Sequence, residues 1–360
     1  MIKNIKIENF RCFENLKVAG FGRVNLISGR NNVGKTALLE AILLNSNPIS
    51  STIIFLRQLR KESFKFAVGS MPNRVWDNFY FQQNTNHEIV IESILVNSDS
   101  KAVEILVDQS TFVSLAGDTW EDESGEYMGT STLEDRMTSI NLKMTVNGKE
   151  VLKTHIASGS KGLLPSDDNT NISKSALFVT SFSRISNREL TSEFGKAYLN
   201  GKYDNVLNGF KAIDNSITKV ETIFIDEPRL YLSSNGRNRL PLSLFGDATN
   251  RVADITLKLV NNENSILLID EIENGIHHSS QIDFWDVIYK LATELNVQVF
   301  ATTHSLEMTQ AFVKAGLEHQ NQAAHFELVR QAKTDKIVAI KRDLDTLDYG
   351  ISHNEEVRGG

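Results

Sequence analysis

The chain opens with apolar positions separated by polar ones. Ile2, Ile5 and Ile7 lead to Phe10, which predicts strands at the start. Val24-Asn25-Leu26-Ile27-Ser28 predicts a short buried strand ending at Gly29. Between Thr36 and Leu44 the one polar side chain after the first residue is Glu40, so this segment predicts a buried helix. Residues 51–66 predict a second helix, carrying Arg57, Arg60, Lys61 and Lys65 against Glu62. From 86 to 156 the pattern is alternating and β-branched, as in Ile89-Val90-Ile91 and Leu142-Lys143-Met144-Thr145-Val146, and Asn147-Gly148 marks a tight hairpin.

Two polar stretches interrupt this region. Residues 117–129 hold Asp118, Glu121, Asp122, Glu123 and Glu126 with three glycines and no basic residue. They predict a solvated loop, since calcium-loop spacing is missing. Ser158 to Ser175, rich in Ser, Gly, Asn and Asp, predicts a second loop. A strand (Leu177-Phe178-Val179), helices to residue 216 and a hairpin at Asn235-Gly236 follow. The last third alternates a helix over 249–260, a strand Ile266-Leu267-Leu268-Ile269, a helix over 279–295 and a strand Val297-Gln298-Val299-Phe300. That βαβ rhythm predicts a parallel sheet, and no sustained heptad predicts a coiled coil.

Length adds that 360 residues suit two domains, or one large domain with an insertion. The net charge of −7 argues against coating nucleic acid by bulk charge. A single cysteine, Cys12, allows no internal disulfide and fits a reducing, cytoplasmic setting. The start carries no signal-peptide core, and no apolar run is long enough to span a membrane.

The chemistry is carried by Gly29-Arg30-Asn31-Asn32-Val33-Gly34-Lys35-Thr36, which matches G-x-x-x-x-G-K-[ST] at every fixed position. A chance match in a chain this long has a probability of roughly one in a hundred. The match also sits between a predicted strand and a predicted helix, as its mechanism requires. Glycines let backbone N–H groups curl around the β-phosphate at a helix N-terminus. Lys35 would reach the β and γ oxygens, and Thr36 would place its hydroxyl on Mg²⁺.

Such a loop needs a carboxylate at the end of a neighbouring buried strand. Two segments offer one: Ile223-Phe224-Ile225-Asp226-Glu227, and Ile266-Leu267-Leu268-Ile269-Asp270-Glu271. The second is wholly aliphatic, as in a sheet buried on both faces. The first runs into Pro228 and a hairpin, so it reads as a solvated strand end. Asp270 is therefore the candidate for the magnesium water shell and Glu271 for the base that positions water. His304, after Thr302-Thr303, is placed to face a γ-phosphate. Ser243, Gly246 and Asp247, just before a helix, make a second candidate anion site.

Together these residues resemble the ABC-type ATPases of the RecF/SMC/OLD group, above all the short prokaryotic AAA-type proteins of phage-defence and abortive-infection loci. The likeness runs from Ile7-Glu8-Asn9-Phe10-Arg11-Cys12-Phe13 through Gly29–Thr36 and Leu242–Asp247. It continues through Leu268–His277, Gln298–Ser305 and Glu356-Val357-Arg358. It implies an α/β P-loop fold: a mixed or parallel central sheet, an antiparallel β subdomain and a helical signature lobe. The expected division is a nucleotide-binding core over 1–45 and 251–345, a β-rich insertion over 46–175, a signature lobe over 176–250 and a tail over 346–360.

The resemblance further implies ATP and Mg²⁺ as cofactors, with Arg11 and Ala37 joining the loop residues at the nucleotide. It implies a homodimer or higher homo-oligomer in which Ser243, Gly246 and Asp247 reach the other head's nucleotide, and an effector nuclease or toxin encoded nearby. The alternative is a RecF-like clamp on DNA, with Arg57, Arg60, Lys61 and Lys65, or Arg184 and Arg188, on phosphates. A membrane transporter ATPase is disfavoured. Departures are a signature that is not Leu-Ser-Gly-Gly-Gln and a Thr180-Ser181-Phe182-Ser183 segment without the expected glutamine, Gln82 and Gln83 lying too early. Only 56 residues follow His304, too few for a TOPRIM-like nuclease.

Overall fold

Alternation in the first half of the chain builds an antiparallel sheet, and the βαβ rhythm of the last third builds a parallel one. The structure, a computed structural model, describes residues 1–62, 74–108, 120–121, 127–129, 138–159, 162–165, 175–182, 185–236, 238–319 and 322–353. The chain runs β1 (Ile2–Phe10), β2 (Phe13–Ala19), β3 (Val24–Gly29), α1 (Lys35–Ser46), α2 (Ser50–Leu59), β4 (Ile89–Leu95) and β5 (Ser100–Asp108). Next come β6 (Trp120–Glu121), β7 (Tyr127–Gly129), β8 (Thr138–Val146), β9 (Lys149–Gly159), β10 (Gly162–Pro165), β11 (Ala176–Val179), α3 (Asn187–Leu199) and α4 (Tyr203–Lys211). The rest is β12 (Ile217–Phe224), β13 (Pro228–Ser234), β14 (Leu240–Pro241), α5 (Asp247–Asn261), β15 (Ile266–Ile269), α6 (Gln281–Glu294) and β16 (Gln298–Thr302). Then follow α7 (Leu306–Glu318), β17 (Ala323–Arg330), β18 (Ile337–Arg342) and α8 (Leu344–Ser352).

The antiparallel sheet has the order β10-β9-β8-β5-β4-β1-β2. Its period-two pattern puts Ile5, Ile7, Ile91, Val103, Ile105, Ile140 and Leu142 inward and fully buried. Lys6, Glu8, Glu92, Glu104 and Lys143 lie outward, paired as Lys6–Glu8, Lys6–Glu92 and Lys143–Glu104. The second sheet has the order β11-β15-β16-β3-β17-β18, parallel except for the last strand. Its inner strands β15, β16, β3 and β17 are buried on both faces. Ile27, Leu268, Phe300 and Phe326 join the core shared with the antiparallel sheet, while Leu26, Leu267, Ile269, Val299 and Ala301 join a second core under α3 to α7. Helix α1 lies between the two sheets, and every residue from Ala37 to Ser46 is buried.

The structure revises several expectations. β1 and β2, grouped by sequence with the nucleotide-binding core, hydrogen-bond into the antiparallel sheet. β11, grouped with the signature lobe, is the edge strand of the parallel sheet. The expected loop from Ser158 begins instead with the β9–β10 hairpin, where Leu163 is buried. Within the acidic stretch Trp120–Glu121 and Tyr127–Gly129 pair as a ribbon; 117–119 and 122–126 lie outside the described residues. Helix α2 stops at Leu59 because Lys61 takes a left-handed conformation (φ +55°). Glu356-Val357-Arg358 also lies outside the described residues.

Candidate functional site

In a parallel sheet the strand ends share one edge, and ligands gather at the carboxyl ends. Here β3 ends at Gly29, β15 at Ile269 and β16 at Thr302, with β16 between the other two. The loop after β3 and the carboxylates after β15 therefore meet, although 234 positions separate Thr36 from Asp270.

The loop needs its glycines. Gly29 has φ +141° and Gly34 φ +92°; a Cβ at Gly29 would lie 2.5 Å from the Leu328 carbonyl oxygen, and one at Gly34 2.6 Å from Cys12 Sγ. Val33 is buried and pins the loop, while Asn31 and Asn32 are exposed at its tip. Helix α1 starts with neither a side-chain cap nor an acidic residue in its first turn. Its first backbone N–H groups thus lack side-chain acceptors, the arrangement that favours an anion. Lys35 Nζ donates to the carbonyls of Gly29 at 2.8 Å and Arg30 at 3.1 Å. Burial lowers the pKa of this ammonium, and the carboxylates of Glu273, Asp270 and Glu271 oppose the shift.

Thr36 Oγ1 donates to Asp270 Oδ1 at 3.1 Å, and Thr302 Oγ1 donates to the same oxygen at 2.7 Å. Burial raises the Asp270 pKa, and the two hydroxyl bonds pull it back. The Glu271 backbone N–H donates to Thr302 Oγ1 at 2.9 Å, and Glu271 Oε2 accepts from Asn274 Nδ2 at 2.9 Å. Glu271 itself is held at φ +50°. Arg251 on α5 braces this corner. Its guanidinium donates to the carbonyls of Thr180 (2.6 Å), Asp270 (2.5 Å) and Glu271 (3.1 Å).

A cleft of about 630 Å³ lies over these groups. Asn31, Asn32, Gly34, Lys35, Thr36, Ala37, Asp270, Glu271 and Arg11 all line it. Gln82 and Gln83, too early in the chain to be expected here, line it as well, and so does Arg60. Arg251, Thr302, Gln82, Gln83 and Arg60 were not legible as site residues. Arg251, Gln82, Gln83 and Arg60 are single polar residues outside the motifs, brought in by contacts across the fold, while Thr302 lies within Gln298–Ser305 but was passed over for His304.

Other expected residues lie elsewhere. His304 is half-exposed, with Nδ1 and its backbone N–H each 2.9 Å from Glu273 Oε1, and does not line the cleft. Ser243 and Gly246 are exposed just before α5, whose first residue is Asp247. Asp226 and Glu227 sit exposed at the β12–β13 turn, with Glu227 bound to Arg229. The expected basic row is not an open face. Arg57 is buried and donates to the Val75 carbonyl, Arg60 pairs with Glu40, and Lys61 stands 5.6 Å over the Phe182 ring. Arg188 is exposed, while Lys65 and Arg184 lie outside the described residues.

The two layered sheets around α1, with the loop and the carboxylates at one sheet edge, define an α/β P-loop NTPase of the ABC-ATPase type. Residues 24–308 match the family described as "AAA domain, putative AbiEii toxin, Type IV TA system", and the chain belongs to it. It is an ATPase. It is 23% identical over 391 residues to an "ATP/GTP phosphatase" of Helicobacter pylori, covering the whole of both chains. It is 27% identical over 106 residues to the "DNA double-strand break repair Rad50 ATPase" of Archaeoglobus fulgidus, which is 29% of this chain and 12% of that one. The fold is similar to a solved Smc head bound to the C-winged helix domain of ScpA (TM-score 0.53, 11% identity, 96% of this chain and 98% of that chain). Among the described residues no helix is long and apolar enough to cross a membrane.

Proposed function

We propose that Gly29–Thr36 cradles the phosphates of ATP and that Asp270, Glu271 and His304 serve its hydrolysis. The observation that carries this reading is the meeting of Thr36 Oγ1 and Asp270 Oδ1 at 3.1 Å, beside a helix start with no side-chain cap. Two hard oxygen donors this close suit Mg²⁺, which keeps most of its waters and takes few protein ligands. The ion would be held by Thr36 and Asp270 and would supply charge neutralisation between the β and γ oxygens. Lys35 leaves its two carbonyl acceptors and binds the same oxygens. Glu271, held by Thr302 and Asn274, accepts the proton of the attacking water. Glu273 holds the His304 imidazole, which would turn to the γ-phosphate from within the same head.

We further propose that the ATPase works as a switch. Two heads sandwich ATP, with Ser243, Gly246 and Asp247 of each against the other's loop, and the closed dimer controls an effector nuclease or toxin in prokaryotic anti-phage defence. The family description, which names a toxin–antitoxin system, supports the defence setting. The core, β-rich insertion and signature lobe read from the sequence are retained as functional units, with β1 and β2 moved to the β-rich part and β11 to the core. A DNA clamp built on Arg57, Arg60 and Lys61 is not favoured, because Arg57 is buried and Arg60 is tied at Nε to Glu40, which leaves no continuous basic row.

The test is Lys35→Ala. Calorimetry should find ATP binding abolished, with the thermal transition unchanged within a few degrees. Normal ATP binding by the variant would overturn the assignment of the loop.

A further inference from the structure

The edge strand of a sheet presents a row of backbone groups with no strand beside them. β11 is such an edge, paired in the parallel sheet with β15. At Ala176 its free side is met by the side chain of Asn47, which stands 129 positions earlier, just past the end of α1. Asn47 Nδ2 donates to the Ala176 carbonyl at 2.7 Å, and Oδ1 accepts the Ala176 N–H at 3.2 Å. The amide thus pairs with this residue as a neighbouring strand would. Oδ1 also accepts the Ser175 N–H at 2.9 Å and the Ser175 hydroxyl at 3.2 Å. Asn47 is buried, and its backbone N–H donates to the Leu43 carbonyl at 2.7 Å, so the side chain is carried rigidly by α1. The adjoining Ser46 carbonyl accepts from Ser175 Oγ at 3.0 Å and from Lys101 Nζ on β5 at 3.3 Å.

The opposite ends of the same two elements carry the candidate metal ligands. α1 begins at Lys35 and Thr36, and β11 ends at Val179, whose carbonyl accepts the Asp270 N–H at 2.9 Å. Thr36 Oγ1 then closes the circuit on Asp270 Oδ1 at 3.1 Å. The path runs down α1, across the Asn47 amide, up β11 and back through Asp270 to Thr36. We propose that Asn47 is a positioning residue of this ATPase: it holds β11 in register with α1 and so sets the spacing of Thr36 and Asp270 that receives Mg²⁺. It acts through Asp270 and touches neither nucleotide nor metal. The proposal rests on the reading of Thr36 and Asp270 given above. Groups that orient metal ligands from behind typically contribute about 10- to 100-fold in metal affinity or activity. The phosphate loop has other supports. Val33 is buried, Gly29 continues β3, and α1 is enclosed from Ala37 to Ser46. Loss of the amide therefore loosens the carboxylate side of the site and leaves the phosphate side in place.

The experiment compares the parent, Asn47→Ala, Asp270→Asn and the double variant in the full chain. Calorimetry measures ATP affinity with Mg²⁺ and with EDTA, and the ratio of the two is the gain from the metal. Asn47→Ala should cut that gain about tenfold. Its metal-free ATP affinity should stay within about twofold of the parent's. Phosphate release should need correspondingly more Mg²⁺ to reach half its maximum. Asp270→Asn should remove most of the gain, and the double variant should match it, because residues that act through one another are not additive. A parental gain in Asn47→Ala would overturn the proposal, as would a further tenfold loss in the double variant. An equal fall in metal-free affinity would overturn it too, since that marks a merely structural role. Asp270→Asn separates the two readings: if it keeps the full gain, the metal reading itself falls. If it loses the gain while Asn47→Ala keeps it, only the role of Asn47 falls. Should Asn47→Ala not fold, Asn47→Asp and Ser175→Ala are measured in the same way. The first sets an oxygen against the Ala176 carbonyl and should match the alanine variant; the second removes one hydroxyl bond and should cut the gain a few-fold. A parental gain in both would overturn the proposal.

Discussion

On β17 the imidazole of His325 is enclosed, and neither ring nitrogen finds a partner. Burial, helped by the positive charge of Arg342, lowers its pKa to about 3. The unfolded chain takes up this proton near pH 6.5, so between those values the unfolded state binds more protons and stability falls as pH falls. At pH 5 the loss from this one group is about 2 kcal/mol relative to pH 7. His325→Leu should therefore flatten the decline of urea-unfolding stability between pH 7 and 5; an unchanged slope would show that the ring is not buried neutral. The variant removes two unpartnered polar atoms as well, so stability at pH 7 should hold or rise. The sequence offered no sign of this residue's environment, since a histidine inside a strand of mixed composition reads the same whether enclosed or wet. Gly29, Gly34, Lys35 and Thr36 were legible because one spacing encodes one local conformation. Arg60 and Arg251 were not, because their partners lie 19 or more positions away.

At the scale of elements, two strands each end in Asp-Glu, and their surroundings separate them. β15 is hydrogen-bonded on both sides, by β11 and β16, and delivers Asp270 to the sheet edge beside the loop. β12 pairs with β13 alone, in a small antiparallel sheet where Phe224 and Ile225 are exposed beside Asp226. Asp270→Asn should lower Mg²⁺-dependent phosphate release by about 10²-fold or more, through lost charge at the metal. Asp226→Asn should stay within about twofold, since exposed substitutions away from a site shift free energies by about 0.5 kcal/mol or less. Similar losses in both would overturn the choice of strand. That choice was legible in the sequence through the aliphatic run of β15 and the Pro228 that follows β12. Element ends were less so. Nothing in Arg60-Lys61-Glu62 marks a helix stop, yet Glu40 draws Arg60 inward and the backbone turns at Lys61. In the same way Gly162-Leu163-Leu164-Pro165 lies in a polar stretch but forms a strand because Leu163 has a core to enter.

For the whole molecule, the site depends on chain segments joined only by the fold. β3 and α1 come from the beginning, β15 and β16 from the last third, and the antiparallel sheet that closes over α1 takes β1 and β2 from ahead of β3 and its other strands from between. The βαβ rhythm and the phosphate loop made this discontinuity readable; the pairing of β1 with β4 was not, because alternation names a strand but not its neighbour. What the single head leaves open is the face before α5. Ser243 and Gly246 are exposed, Gly246 has φ +93°, and a Cβ there would meet nothing within 4 Å. If that face completes the other head's site, chemistry belongs to the dimer, and Glu271→Gln should separate binding from turnover. The glutamine keeps the shape and an oxygen for Asn274 but cannot take the water proton. Hydrolysis should fall by about 10²–10⁴-fold, the worth of a positioned base, while ATP binding survives. ATP favours the closed state and hydrolysis no longer empties it, so the population shifts toward a dimer or larger assembly in light scattering with ATP. In the parent protein, turnover per head should fall on dilution, and Ser243→Arg should block closure while its own loop still binds ATP. Turnover per head that stays constant down to concentrations where the protein is monomeric rules out a shared site, and with it the ATP-held dimer as the switch.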